Sequence, residues 1–204
     1  IKDSIFPGGQ LLIAKNGEVL FEKGFGNFTY DRSSSSVDEN TIYDLASVSK
    51  VIATTNAAMI CIDKKLFKLD DKVSKYLPKF NSKGKNEITI RNLLLHNSGL
   101  PAFKPFYKTL SNANQVLNDI YNSELEYKIG TKTVYSDLGM ITLGKIIEKV
   151  SGKTLDRFCR DEIFLPLNMN STFFKPADSL KNKIAPTEFD NYWRNRLLQG
   201  EVHD

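Results

Sequence analysis

The most apolar stretch of this chain, VIATTNAAMICI over residues 51–62, contains no charged residue. It predicts a long helix from about Ser47 to Leu66, and a helix this apolar has to be buried by neighbouring elements. Lys50 stands at its entrance, in the sequence ASVSK. A solvated lysine would need no explanation, but a lysine held against a buried helix does.

The N-terminal part predicts a β-hairpin within residues 8–28. The segments GGQLLIAK and EVLFEKGFG flank Asn16-Gly17, which supplies the two positive φ angles of a type I′ turn. Because an isolated two-stranded sheet is marginal in water, we expect further strands elsewhere. Residues 176–204 do not supply them, since this segment is polar, lacks alternation and contains Pro186. We expect it to be an irregular tail.

Residues from about 47 to 175 are predicted to be mostly helical, because capping and turn residues recur around apolar periodic segments. A short helix is predicted after Asp70 and stops near Pro78. A second helix begins after Thr89 and ends at the Asn97-Ser98-Gly99 turn, and three more are predicted over about residues 112–122, 138–150 and 155–163.

The composition and net charge of the chain argue against several function classes. The net charge of +4 comes from 28 basic and 24 acidic residues that are spread along the chain, so nucleic acid is not an expected partner. No apolar run approaches the roughly 18 residues that a membrane span needs. The two histidines are far apart, as are Cys61 and Cys159, so we expect no metal site, no cofactor and no disulfide framework.

The pattern Ser-x-x-Lys occurs twice, at Ser47–Lys50 and Ser82–Lys85, where composition alone predicts about 1.7 occurrences. The second pair lies in a polar, glycine-containing loop, and we expect it to be solvated surface. The first pair stands at the start of the predicted helix. Because positions i and i+3 share one helix face, the Ser47 hydroxyl and the Lys50 amine can come within hydrogen-bond reach.

Two interpretations of this first pair stay open on the residues alone. In one, the positive end of the helix dipole stabilises an oxyanion at Ser47, which suits a nucleophile. Apolar neighbours then disfavour the charged form of Lys50, so its pKa should be lowered and the amine can act as a base or proton relay. In the other, Ser47 is an ordinary N-cap and Lys50 extends its amine from a core helix into water.

The segment Tyr135-Ser136-Asp137 is the second candidate, immediately before an amphipathic helix. Tyr-x-Asn/Asp occurs once, where composition predicts about 1.2 occurrences, so its placement is more informative than the pattern. A tyrosine hydroxyl on this turn can project into a cleft, where a neighbouring lysine would favour its phenolate. The alternative is a packed aromatic residue followed by an Asp N-cap.

Four segments, in this order, carry a resemblance to a known family: IYDLASVSKVIATT, KLFKLDDKVSKYLPKF, ITIRNLLLHNSGLP and VYSDLGMITLGKIIEKVSG. They resemble the serine β-lactamase and penicillin-binding protein superfamily, in its class C and esterase-like branch, from about Gly8 onward. The resemblance implies an α+β fold, in which an antiparallel sheet is flanked by helices and joined to a helical subdomain. It also implies one serine hydrolase domain, of which residues 1–204 would be the N-terminal portion.

The resemblance implies a role for each candidate residue. Ser47 would be the acylating nucleophile, Lys50 its proton partner and Tyr135 the general base, while Asp137 would contact substrate. His96 falls where the family shapes the cleft wall, and we expect it to be structural. Expected substrates are β-lactams, D-alanyl peptides of peptidoglycan or small esters. The alternative is a non-catalytic module for binding cell-wall material or for packing against another domain.

The chain departs from the family at the third motif, Lys-Thr-Gly or His-x-Gly, which supplies a second oxyanion donor. Lys132-Thr133 is followed by valine, and His203-Asp204 ends the sequence. We therefore expect a chain truncated before this motif, with the missing C-terminal segment or another domain as partner. Losing one such donor typically costs ~10²- to 10³-fold in rate, so this piece alone is expected to be impaired. The resemblance implies an envelope, periplasmic or secreted location, although no signal peptide is visible at Ile1.

Overall fold

The structure is a computed structural model that describes residues 5–203. Its internal contacts divide the chain into two compact units, one formed by the residues up to 46 with residues 174–203, the other by residues 47–173. Within the described range the first unit holds the β-strands and the second holds the α-helices. The assignment of residues 1–204 to a single hydrolase domain stays a prediction.

The first unit begins with the predicted hairpin. Strand β1 (Gly8–Lys15) pairs antiparallel with β2 (Glu18–Gly26), and both turn residues have positive φ, 54° at Asn16 and 84° at Gly17. The successive residues Leu11, Leu12 and Ile13 are all exposed. Because neighbouring residues of a strand point to opposite faces, apolar side chains lie on both faces of this hairpin.

Residues 176–204 contain a second hairpin, so the prediction of an irregular tail is wrong. Strand β3 (Glu188–Asp190) pairs antiparallel with β4 (Arg196–Leu198), and the two form a sheet of their own. The Asp190 carboxylate organises the turn, since it accepts hydrogen bonds of 2.9–3.1 Å from the backbone N–H groups of residues 192–194. Strands of three residues are too short to produce a visible alternation in the sequence.

The second unit is helical, as predicted. Its α-helices are α1 (Asn56–Asp63), α2 (Val73–Tyr76), α3 (Ile90–Leu94), α4 (Phe106–Thr109), α5 (Ala113–Asn122), α6 (Asp137–Ser151) and α7 (Leu155–Cys159). Short 3₁₀ segments follow α2 at Pro78–Phe80 and precede α3 at Lys85–Glu87, and a third lies in the first unit at Asp178–Lys183. A π-helical segment, Arg160–Phe164, extends α7. None of the described helices is long and apolar enough to cross a membrane.

Three helix starts have side-chain caps, of which those at Thr89 and Ser136 are predicted from the sequence, whereas Thr154 makes no cap hydrogen bond at the start of α7. Thr89 and Asn92 form a reciprocal capping box at α3, and the Asn112 side chain accepts from the Gln115 N–H at α5. Ser136 caps α6 by accepting from the Gly139 N–H at 3.1 Å. Such caps satisfy backbone donors that have no partner inside the helix.

The apolar run forms a helix that differs from the predicted one in two ways. Helical geometry begins at Val48, and the segment Lys50–Thr55 is a π-helix that leads into α1. At the end of this segment the Asn56 side-chain amide donates to the carbonyls of Val51 and Ile52 at 3.0 and 3.2 Å. Secondly, Val51 and Met59 are exposed, so the helix is buried along one face and not on all sides.

Helix α6 is the centre of the core of this unit. Four of its side chains, Leu138, Leu143, Ile146 and Ile147, are fully buried. They belong to one apolar cluster with residues from α1, α2, α3, α5 and α7. The first turn of α6 therefore has a fixed position relative to the helix at 48–63.

We expect Leu143→Ala to destabilise the helical unit by roughly 2–5 kcal/mol, because it removes buried methyl groups and leaves a cavity. Leu167→Ala is the matched control, since Leu167 is 66% exposed and an exposed substitution usually changes stability by about 0.5 kcal/mol or less. Urea unfolding followed by circular dichroism measures both. Equal losses in the two variants would contradict this description of the core.

Candidate active site

Ser47 lies in the turn that leads into the helix at Val48, and its side chain is exposed. The residue before it, Ala46, has a φ of 43°, which is unusual for a residue with a side chain. The Ala46 N–H donates to the Asp44 carboxylate at 2.8 Å, a bond that stabilises this backbone conformation. Strained residues of this kind cluster at functional sites.

The Lys50 ammonium group brings the candidate residues together. Its Nζ donates to Ser47 Oγ at 3.0 Å and lies 2.8 Å from Asp137 Oδ1. It also lies 5.1 Å from the centre of the Tyr135 ring. The structure thus brings together all four residues selected from the sequence, although Tyr135 and Asp137 are more than eighty positions away from Ser47.

The predicted lowering of the Lys50 pKa is wrong, because the pKa of Lys50 is raised above its ordinary value. Burial does act in the expected direction and is the largest single influence. It is outweighed by the hydrogen bonds and charges of Asp137 and Tyr135 taken together. The apolar neighbours were visible in the sequence, but the carboxylate that compensates them comes from a distant helix.

Helix α6 presents Tyr135 and Asp137 on either side of its N-cap. The cap residue Ser136 is almost fully buried, and its hydroxyl donates to the Pro101 carbonyl at 2.7 Å. The Asp137 N–H donates to the Ala102 carbonyl at 2.8 Å. The alternative of a packed tyrosine followed by an Asp N-cap is therefore wrong, since Ser136 is the cap and Tyr135 is half exposed.

Asp137 is the counter-ion of Lys50 in this arrangement. Its Oδ1 atom is inaccessible to solvent, and the Lys50 ammonium at 2.8 Å compensates its charge. Only about a fifth of the Lys50 side chain is exposed, so the alternative in which its amine extends freely into water does not hold. A contact between Asp137 and substrate stays a prediction.

His96 contacts the candidate site, although the sequence predicts only a structural role for it. The centre of its ring lies 4.9 Å from the centre of the Tyr135 ring. Its pKa is lowered by burial and by the charge of Lys50, against a smaller opposing effect of Asp137. The signal that could have indicated it is its place directly after the end of α3, where glycine or asparagine is common.

The second Ser-x-x-Lys pair, Ser82 and Lys85, has different hydrogen-bond partners from Ser47 and Lys50. The prediction that this pair is solvated surface is wrong for Lys85, which is fully buried. Lys85 Nζ donates to the Ser123 carbonyl at 2.7 Å, beyond the end of α5, whereas the Ser82 hydroxyl donates to the Tyr121 carbonyl at 3.4 Å. The hydroxyl and amine therefore bind different backbone groups, and this pair does not reproduce the arrangement around Ser47.

The sequence matches the family model described as Beta-lactamase over residues 2–201. The chain belongs to the Beta-lactamase family. The resemblance seen in the sequence is confirmed, and so is the α+β fold with an incomplete antiparallel sheet.

Three similar proteins illustrate the range of the Beta-lactamase family. The chain is 32% identical to the N-acetylmuramyl-L-alanine amidase of Bacillus subtilis over 98% of its own length and 52% of that protein's. It is 34% identical to a putative D-alanyl-D-alanine carboxypeptidase of Escherichia coli, over 98% of this chain and 53% of the other. The crystal structure of FmtA from Staphylococcus aureus superposes with a TM-score of 0.80 and 28% identity, covering 91% of this chain and 51% of that one. The chain thus spans about half the length of the curated relatives that it matches.

We expect Asp137→Asn to lower the pKa of Lys50, because the carboxylate that opposes the effect of burial is then removed. In the wild type the raised pKa of Lys50 contributes stability below pH 10.5, its ordinary pKa, and this contribution is lost as pH rises through the higher folded value. NMR titration of lysine side-chain signals measures the shift. Asp161→Asn is the control, since Asp161 pairs with Lys153, and an unchanged Lys50 pKa in Asp137→Asn would contradict the assignment of the counter-ion.

Proposed function

We propose that this chain carries the nucleophile and the proton-transfer residues of a serine hydrolase that works through an acyl-enzyme. The observation that carries the proposal is the Lys50 ammonium group, which hydrogen-bonds to Ser47 Oγ while it is paired with Asp137 and lies beside Tyr135. Family membership agrees with this function but does not decide it, because relatives with several activities share the fold.

In the first step Ser47 Oγ bonds to the carbonyl carbon of the substrate, and its proton must leave. Lys50 in its ammonium form has no lone pair to accept this proton. Tyr135 is then the acceptor in its phenolate form, after its own proton has passed to water, and the serine proton converts the phenolate into a neutral phenol. The same proton passes to the leaving amine or alcohol when the substrate bond breaks, and an acyl-enzyme remains on Ser47. Water then releases the acyl group.

The position of Ser47 suits the charge that develops in this step. The backbone N–H groups at the start of the following helix have no partner within the helix, and the positive end of its dipole lies there. Such groups stabilise an oxyanion. The Lys50 ammonium group adds a positive charge beside Ser47, and Asp137 lies 2.8 Å from it as the counter-ion.

The proposed substrates are D-alanyl peptides of peptidoglycan, β-lactams or small esters. The names of the two relatives, an amidase and a putative D-alanyl-D-alanine carboxypeptidase, favour an amide bond beside an alanine residue. Peptidoglycan lies outside the cytoplasmic membrane, so the proposed location is the cell envelope. The proposed partner is the substrate itself, together with a further segment or domain that supplies the second oxyanion donor.

A second function, a non-catalytic module that binds cell-wall material or packs against another domain, is favoured by one observation. Lys132-Thr133 is followed by valine, so the Lys-Thr-Gly motif expected for catalysis is not formed there. A Beta-lactamase fold without such a donor would still bind a substrate and would turn it over slowly or not at all.

Intact mass spectrometry after incubation with a β-lactam or an activated ester distinguishes the two functions. We expect an acyl adduct on the wild type that is absent from Ser47→Ala. Ser82→Ala is the matched control, because Ser82 belongs to the other Ser-x-x-Lys pair and should keep the adduct. The hydrolase proposal would be contradicted if the folded wild type took no acyl group from any donor. It would also be contradicted if the adduct persisted in Ser47→Ala.

Tyr135→Phe should slow acylation of Ser47 by about 10²- to 10⁴-fold, because it removes the group that accepts the serine proton. The ring and its contact with Lys50 are retained in this variant, so the fold should be preserved. Stopped-flow acylation by an activated ester measures the effect, with Tyr192→Phe as control since Tyr192 is 86% exposed. A wild-type acylation rate in Tyr135→Phe would assign the proton transfer to another group.

A further inference from the structure

His96 occupies a backbone position that favours glycine. Helix α3 ends in a Schellman motif, in which the Asn97 N–H donates to the Asn92 carbonyl at 3.0 Å and the His96 N–H donates to the Leu93 carbonyl at 3.2 Å. His96 is the left-handed residue of this motif, with a φ of 53°. Glycine adopts this conformation most easily, and asparagine and histidine are the side chains enriched there.

The contacts of His96 are concentrated on residues 134–136, which include the candidate residue Tyr135. The His96 carbonyl accepts from the Val134 N–H at 2.8 Å. The imidazole Nδ1 accepts from the Ser136 N–H at 3.1 Å. Between these two bonds the imidazole packs on the Tyr135 ring at 4.9 Å, with 39° between the ring planes. One residue therefore holds the backbone on both sides of Tyr135 and one face of its ring.

The bond to Ser136 determines the form of the imidazole. A nitrogen that accepts a hydrogen bond from a backbone N–H carries no proton itself, so the proton of neutral His96 lies on Nε2. Protonation of Nδ1 would place two donors against each other and break this bond. The charges that face the ring come from Lys50 on the π-helical segment and from Asp137 at the start of α6, while the Tyr127 hydroxyl donates to the His96 carbonyl at 3.3 Å.

We propose that His96 is a positioning residue for Tyr135, and that protonation of its imidazole releases residues 134–136 and thereby slows acylation at acid pH. The inference rests on the proposed function, since Tyr135 is the proton acceptor there. The proposal fixes the sign of the pH dependence. The neutral imidazole supports acylation of Ser47, so the acylation rate falls as pH drops through the His96 titration. This loss adds to any loss that comes from the reacting groups themselves.

The first test does not depend on activity. In the His203→Gln variant, which removes the other histidine of the sequence, imidazole ¹⁵N shifts should place the proton of His96 on Nε2. His96 should titrate below pH 6.5, its ordinary value, and the Ser136 amide signal should shift with the same midpoint. His203 pairs with Glu188 in the other unit, so its replacement should leave both signals unchanged. A proton on Nδ1, or a Ser136 amide that does not respond to the titration, would overturn the proposal.

The second test measures the pH profile of Ser47 acylation by an activated ester. His96→Gly keeps the left-handed backbone and removes both the acceptor and the ring, so it should react roughly 10²-fold more slowly at neutral pH. His96→Asn suits the same backbone and places an amide oxygen near the former Nδ1, so it should recover part of that loss. Asparagine does not titrate, so this variant should also lack the additional fall at acid pH.

A His96→Gly variant that reacts at the wild-type rate would overturn the positioning role, and so would a His96→Asn variant that keeps the complete acid limb. Circular dichroism of each variant checks that the fold is retained. If the wild type takes no acyl group at all, the proposed hydrolase function fails. The NMR titration of Ser136 then still decides whether His96 holds the segment around Tyr135.

Discussion

One ammonium group joins the parts of the candidate site. Lys50 Nζ binds Ser47 Oγ one turn away on its own helix, and Asp137 at the start of another. Because most of the lysine side chain is buried, its charge needs a partner, and removal of the carboxylate would leave an uncompensated charge in the protein. The ion pair therefore couples the geometry of the nucleophile to the placement of α6, and the core around α6 keeps both in place.

The parts of this arrangement that depend on local sequence could be predicted. Asn16-Gly17 forms its turn, and Thr89 and Ser136 cap their helices, because each of these features is determined by residues only a few positions away. The meeting of Ser47 with Lys50 belongs to the same class, since a helix brings positions i and i+3 onto one face. Tyr135 and Asp137 could be joined to this pair only through the family resemblance, because no local rule connects such distant segments.

The errors arose where a distant group decides the outcome. Burial alone indicated a lowered pKa for Lys50, and Asp137 reverses the sign. Lys85 looked like surface in a polar loop, but the carbonyl of Ser123 gives its ammonium a buried acceptor. His96 was expected to be structural at a cleft wall, and only the fold shows that residues 134–136 lie against it. In each case the partner lies far away in the sequence, so only the tertiary structure identifies it.

In the proposed mechanism, Lys50 and Tyr135 act as one proton-transfer unit on Ser47. A double-mutant cycle on the acylation rate, with Lys50→Met, Tyr135→Phe and the double variant, tests it most directly. If the two residues act as one unit, so that neither contributes without the other, the double variant should react about as slowly as the slower single variant. If the fold-losses in acylation rate of the two single variants multiply in the double variant, the two residues act independently, and the proposed unit of Lys50 and Tyr135 is wrong.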